Sequence, residues 1–341
     1  MRSHLRTLVV LALALALVAL FLYNVDLRGV ARQIVYASPG WLLFTLATVL
    51  VNLAIRAWRW QYLLEPLGRP SFGNAFRATA VGFAASGILP ARAGELIRPY
   101  FLSRLERISA TGAFATIILE RVLDAVVVLF LLAVYVFLLR SDAPDGAVAL
   151  EAVKWAAGTA AVVACATLVA LFVLAGDPQR LGAALVRLER VLPSKLAGAL
   201  ARVAEKFAIG LAVIRRPGRF LVALVLSFPL WLSIAAGIWG VAQAFHLLIP
   251  FDGTFLIMAL LVVGVAVPTP GAVGGFHAAF KVGATTFFGA SDNAAVGAAI
   301  VLHLITFGPV LLLGLVFAAQ DGLNLTGMKQ LAEREKVRPT A

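Results

Sequence analysis

Arg92, Glu95 and Arg98 follow one another at three-residue spacing in LPARAGELIRPY, and Glu120, Arg121 and Asp124 stand together in ATIILERVLDAVVVL. Residues three or four apart share a helix face, so Glu95 and Arg98 would share one, and Glu120 and Asp124 another. Guanidinium groups grip phosphate bidentately, and carboxylates serve as general bases. Two readings stand side by side. In one, these groups form a polar face turned towards a cavity, for anion contacts or proton transfer. In the other, they are cytoplasmic loop and span-end charges that pair with one another and serve only topology.

A second stretch has backbone chemistry. In PTPGAVGG, Pro268 and Pro270 stop the preceding helix, while Gly271, Gly274 and Gly275 leave N–H groups accessible at the start of the next. A helix start with open N–H groups suits an anion, and the alternative is a tight surface turn. Lys281 lies four residues after His277, so both would face one cavity. His277 and His303 lack a Cys or carboxylate at ligand spacing, which reads as packing rather than a metal site. No nucleotide-binding, nucleophile-elbow or H-E-x-x-H motif occurs. No cofactor or metal is expected, and an enzymatic role is the weaker expectation.

The elements that must position these residues are membrane helices. The 341 residues are 62% hydrophobic and 13% charged, far from the roughly 25% charge of soluble domains. The net charge of +12 is spread over loops between apolar runs, which excludes a nucleic-acid platform. The single cysteine, Cys165, sits in an apolar run, so there is no disulfide framework and no Cys-based metal site.

Along the chain, full spans are expected at Thr7 to Tyr23, Trp41 to Ile55, Ala113 to Leu139, Val153 to Ala175, Phe220 to Phe245 and Ala294 to Ala319. Arg56, Trp58, Arg59 and Trp60 read as an anchor of the second span at the headgroup layer. Residues 177–216 read as a surface-lying amphipathic stretch. The short apolar arms at 72–107 and 254–289, one ending at Pro90 and the other broken by PTPGAVGG, read as re-entrant hairpins, because roughly twenty residues are needed to cross.

With both termini cytoplasmic, all but six of the 29 lysines and arginines fall on the cytoplasmic side, the six being Arg28, Arg32, Arg121, Arg140, Lys154 and Lys281. The expected architecture is therefore an all-α polytopic membrane protein. One integral membrane domain, 1–319, has six spans and two broken hairpins entering from opposite faces, and a polar tail follows at 320–341. Inverted broken helices are a transporter arrangement in which sites form near the midplane.

Four motifs in order, RAWRWQYLLEPLG, ILPARAGELIRPY, ILERVLD and PTPGAVGGFHAAF, give the chain from about Val51 to Ala319 a family likeness. It resembles the transmembrane region of the lysylphosphatidylglycerol synthase superfamily, the flippase-like integral membrane proteins. The resemblance implies a bacterial inner-membrane protein that handles anionic or modified lipids, including phospholipids and polyprenyl- or hopanoid-linked species. In the full synthases that it resembles, aminoacyl transfer belongs to a separate cytosolic domain after the membrane region; here only the polar tail at 320–341 follows the last span, so that activity is expected to be absent.

By position, the resemblance carries over Pro90, Arg92, Gly94, Glu95 and Arg98, then Glu120, Arg121 and Asp124, then Pro270, Gly271, Gly274 and Gly275. Two departures are Ser86 and Gly87, where relatives commonly have Asn before the LP pair, and His277, where they commonly have Glu. The leading expectation is a lipid translocator whose site comprises Arg92, Glu95, Arg98, Glu120, Arg121, Asp124, Gly271, Gly274, Gly275, His277 and Lys281. Its partners are membrane lipids and not nucleic acid. The alternatives are an enzyme, or an accessory protein to enzymes, of lipid or lipid-linked glycan synthesis, and a membrane scaffold.

Overall fold

The computed structural model describes residues 25–89, 93–139, 147–176, 194–267 and 269–322, and these are almost wholly helical. The expected first span, Arg92, residues 177–193 and nearly all of the polar tail lie outside the described residues. Among the described residues, four helices are long and apolar enough to cross a membrane: α2 (Pro39–Leu63), α6 (Ala147–Leu174, through its part from Glu151), α8 (Pro217–Ala244) and α11 (Asp292–Gln320). They are preceded by the short α1 (Leu27–Val35), which Asp26 caps by accepting the N–H groups of Arg28 and Gly29. Helix α5 (Ala110–Ala133) has the length of a span and continues into a π-helical turn, Val134–Leu139, but carries three charges in its middle. The protein is a polytopic helical membrane protein.

Helix α2 overturns one expectation. It does not stop at Ile55 but runs two turns further to Leu63, and Arg56, Arg59 and Trp60 are buried in its last part. Only Trp58, 54% exposed, keeps the outward position expected of an anchor. The buried positions 56, 59, 60 and 63 recur at helical spacing, so the inner face of the span simply continues through the arginines. Helix α8 lies along α2. The Asn52 amide donates to the Leu230 carbonyl at 2.8 Å and to the Ser233 hydroxyl at 3.0 Å, and the Thr45 hydroxyl donates to the Gly237 carbonyl.

The segment 72–107 folds as a hairpin of α3 (Phe72–Ile88) and α4 (Gly94–Glu106), and the segment 254–289 as a hairpin of α9 (Gly253–Ala266) and α10 (Gly275–Phe288). Each hairpin is closed by a facing glycine pair. A Cβ on Gly94 would strike the carbonyl of Gly82, and one on Gly264 would strike the carbonyl of Gly275. Where backbones approach this closely, only glycine fits.

The two hairpins enter from opposite ends of α2. At its C-terminal end, Gln61 donates to the carbonyl of Pro70 at the base of the first. At its N-terminal end, Trp41 packs edge-on to Trp239, which packs on Phe251 at the base of the second. Their tips meet where Gly271 faces the carbonyl of Gly87.

Of the expected amphipathic stretch, the described part forms α7 (Ser194–Gly210) and a 3-10 turn, Ala212–Arg215. It does not lie free on a surface. Gly210 seats against the backbone of Gly112 in α5, and Ala208 and Leu211 are fully buried.

Candidate functional site

Three elements converge on one ion-pair network. Helix α5 presents Glu120 and Asp124 one turn apart, α2 presents Arg56 and Arg59, and α4 presents Arg98. Arg59 is fully buried and joins both carboxylates: its Nη1 donates to Asp124 Oδ1 at 2.6 Å and its Nη2 to Glu120 Oε1 at 3.2 Å. Nη1 also donates to the Ser227 hydroxyl of α8 at 2.6 Å. Arg98 Nη1 donates to Glu120 Oε2 at 2.7 Å, and Arg56 Nη1 to Asp124 Oδ2 at 3.4 Å. The Trp231 indole N–H adds a bond to Asp124 Oδ1 at 3.0 Å. Every carboxylate oxygen here has a donor, as buried charge requires.

The charges do not cancel. Three buried guanidinium groups, Arg56, Arg59 and Arg98, meet two buried carboxylates, Glu120 and Asp124. Arg121, half-exposed, is held more loosely, 3.7 Å from Glu95 and 3.7 Å from Asp124. Taking Arg121 and Glu95 as one neutral pair, the described cluster keeps one excess positive charge in an apolar surround.

Two cavities open beside the network. A small one of about 140 Å³ is lined by Ser86, Gly94, Glu95, Arg98, Arg121, Thr269 and Gly271, so both hairpin tips contribute to it. A large one of about 640 Å³ is mainly apolar, walled by Val128, Leu261, Phe276, Leu302 and Leu311, with Arg56 and Asp124 at its polar side. Phe83, Gly87, Arg121, Val265, Gly271 and Phe307 line both. A small recess that carries charged and hydroxyl side chains and a mainly apolar chamber beside it together suit an amphiphile.

The expected site residues therefore divide. Glu95, Arg98, Arg121 and Gly271 line the small cavity, Asp124 the large one, and Glu120 is fully buried behind them as the partner of Arg59 and Arg98. Arg92 lies outside the described residues. Gly274, Gly275, His277 and Lys281 line neither cavity. Gly275 is used in packing against Gly264, and Gly274, at φ 89°, turns the chain into α10. His277 caps that turn, its Nδ1 accepting the Gly274 N–H at 3.4 Å. Lys281 points away to Asp292, at 3.5 Å.

His277 and His303 do come together, with ring centroids 4.6 Å apart. His303 Nε2 lies 2.7 Å from the Gly271 carbonyl, so that nitrogen carries the proton and ties the 3-10 turn Pro270–Ala272 to α11. The turn needs a tether, because Gly271 (φ 60°) and Ala272 (φ 57°) both hold left-handed conformations. Among the described residues no group of three or more His, Cys, Asp or Glu side chains converges as a metal site would require.

Arg56, Arg59, Trp60, Trp231 and Thr269 belong to the site without having been expected there. For the first three the signal was present as the helical spacing of 56, 59, 60 and 63. Trp231 and Thr269 arrive from distant segments and carried none.

Charged network, broken helices and paired cavities define a polytopic membrane protein with a polar centre inside its helix bundle. The chain belongs to the lysylphosphatidylglycerol synthase transmembrane-region family, whose model matches residues 7–314. It is also 30% identical over 128 residues to a UPF0104 membrane protein of Methanocaldococcus jannaschii, covering 36% of this chain and 38% of that relative's length.

Proposed function

We propose that the protein is a lipid translocator of the bacterial cytoplasmic membrane that takes an anionic or modified lipid, with its headgroup at the hairpin tips and its hydrocarbon in the apolar chamber. The observation that carries this reading is the junction itself: one excess buried positive charge borders a recess that shares Arg121, Gly271 and four further lining residues with a larger apolar cavity. Buried charge inside a membrane bundle marks a substrate path by default. Irregular backbone such as the turn at Gly271 is tolerated there only where protein or a wet cavity surrounds it. In this reading the two hairpins are re-entrant from opposite membrane faces, and Arg121, which lines both cavities, stands on the path between them.

The reading is tested in liposomes holding a fluorescent anionic lipid whose outer-leaflet copies are bleached by dithionite. Protein-containing vesicles should lose fluorescence from the inner leaflet faster than empty vesicles, and Arg121→Gln should slow that loss. Equal rates with and without protein would sink the proposal.

A further inference from the structure

The tip of the second hairpin rests on two histidines whose ring nitrogens are not equivalent. A carbonyl oxygen only accepts, so the 2.7 Å contact with Gly271 fixes the proton of neutral His303 on Nε2 and leaves its Nδ1 bare. An amide N–H only donates, so the Gly274 contact fixes neutral His277 with a bare Nδ1 and its proton on Nε2. The Nδ1 of His277 is thus engaged. Among the described residues the Nδ1 of His303 has no hydrogen-bond partner.

The two bare nitrogens differ in what an added proton disturbs. On His303 Nδ1 it breaks nothing, because Nε2–H keeps donating to Gly271. On His277 Nδ1 it sets one N–H against another and removes the bond that opens α10. The surroundings of His303 also suit a cation. The Phe307 ring stacks on it with centroids 4.6 Å apart, and Phe276 packs against it at 5.3 Å, within the range at which aromatic rings attract positive charge. His277 lies 4.6 Å away, so a second proton would place two imidazolium rings in contact, and like charges so close do not both form. Of the charged groups around the pair, Arg56, Arg121 and Asp124 share the 640 Å³ chamber with His303, while the chamber residues of α3, α8 and α9 are uncharged. Lys281, one turn beyond His277 on α10, is engaged with Asp292, and α1 meets α11 at Asn293 and Gly297, more than a turn from His303.

We infer that the histidine pair is a proton-binding site on the wall of the large chamber, which takes a single proton on Nδ1 of His303 and leaves His277 neutral to hold the start of α10. The hairpin tip keeps its shape when the proton binds, because both of its tethers survive, while the chamber gains one positive charge. By linkage, an anion in the chamber and a proton on His303 each favour the other. Proton binding itself is independent of what the chamber carries.

The protonation states are read from magic-angle-spinning nitrogen-15 spectra of the full chain in lipid bilayers, labelled at its four histidines, between about pH 9 and about pH 4. His277→Gln and His303→Gln each remove one pair of signals and so assign them. At the alkaline end His303 should carry its proton on Nε2 with Nδ1 bare. As pH falls, Nδ1 should gain a proton while His277 is still neutral. Phe307→Leu, which removes one aromatic face, should weaken proton binding at His303 about threefold. A neutral His303 with its proton on Nδ1, a His303 that stays uncharged to the acid end, a His277 that charges first or in step with it, or full proton affinity in Phe307→Leu, would each overturn the inference. Because the readout is protonation, a protein that moves no lipid but shows this order of protonation would refute translocation alone, and lipid movement without it would refute the proton site alone.

Discussion

The two hairpins have the same frame and opposite chemistry. Each is two short helices locked by a glycine pair, Gly82 with Gly94 and Gly264 with Gly275, and each brings its tip to the same place from the other end of α2. The first carries Glu95 and Arg98 on its returning arm and feeds them into the ion network. The second puts no charged side chain into either cavity; it offers the Thr269 hydroxyl and a left-handed turn held by His303. Chemistry at the meeting of the tips is thus divided between a charged half, which needs counter-ions from α2 and α5, and a nearly neutral half, which needs only backbone geometry. Glycine sets how closely each half closes, and charge sets what the charged half depends on.

The largest effect should come from removing the ion that serves the charged half. Arg59→Ala leaves Glu120 and Asp124 buried with one fewer counter-ion and strips the Ser227 contact. Breaking a buried pair by removing one partner costs about 3–5 kcal/mol. The expected result, read by thermal unfolding in detergent, is a protein that melts far lower or fails to accumulate in the membrane. If Arg59→Ala melts like the wild type, the network is not what holds α2, α5 and α8 together.

A smaller effect tests whether the frames are equivalent. Gly94→Ala places a methyl against the Gly82 carbonyl and Ser86, and Gly264→Ala places one against the Gly275 carbonyl and Ala279. In both cases the clash is with backbone that cannot swing away, so each should cost about 1–3 kcal/mol. Their melting temperatures should fall by similar amounts. A large loss in one and none in the other would show that only one hairpin is tightly closed.

What was legible in the sequence follows the same division. Apolar length marked α6, α8 and α11, and the breaks at Pro90 and PTPGAVGG marked where short helices end, because proline and glycine act locally. Glu120 and Asp124 could be placed on one face by spacing alone. Arg56 and Arg59 were misplaced because basic and aromatic residues at the end of an apolar run ordinarily mark the headgroup layer; their helical spacing hinted at a continued inner face, and their partners on α5 show it to be buried. Lys281 and His277 were grouped by a four-residue spacing that holds on the helix, but α10 turns Lys281 towards Asp292. Thr269 and Trp231 become part of the site only through tertiary approach, which no local pattern records.

The smallest effect belongs to the mouth of the charged hairpin. Glu106 ends α4 and closes the base by accepting from the Ser71 N–H at 2.8 Å, the Ser71 hydroxyl at 3.0 Å and the Asn74 amide at 2.7 Å. Slight burial pushes its carboxyl up, but these three donors outweigh it and hold the group below its ordinary value of 4.5. A carboxylate whose folded value is depressed adds stability that is present above the unfolded value and is lost as pH falls through the folded one. Wild type should therefore melt slightly higher than Glu106→Gln at neutral pH, and the gap should close as pH falls below about 4.5. The contact at the base of the second hairpin, where Gly253 seats against the Phe288 ring, is apolar. Phe288→Ala should accordingly lower the melting temperature by the same amount at every pH tested. A gap for Glu106→Gln that stays constant down to acid pH would mean that the charge of Glu106 contributes nothing at that base, and that the charged character of the first hairpin is confined to its tip.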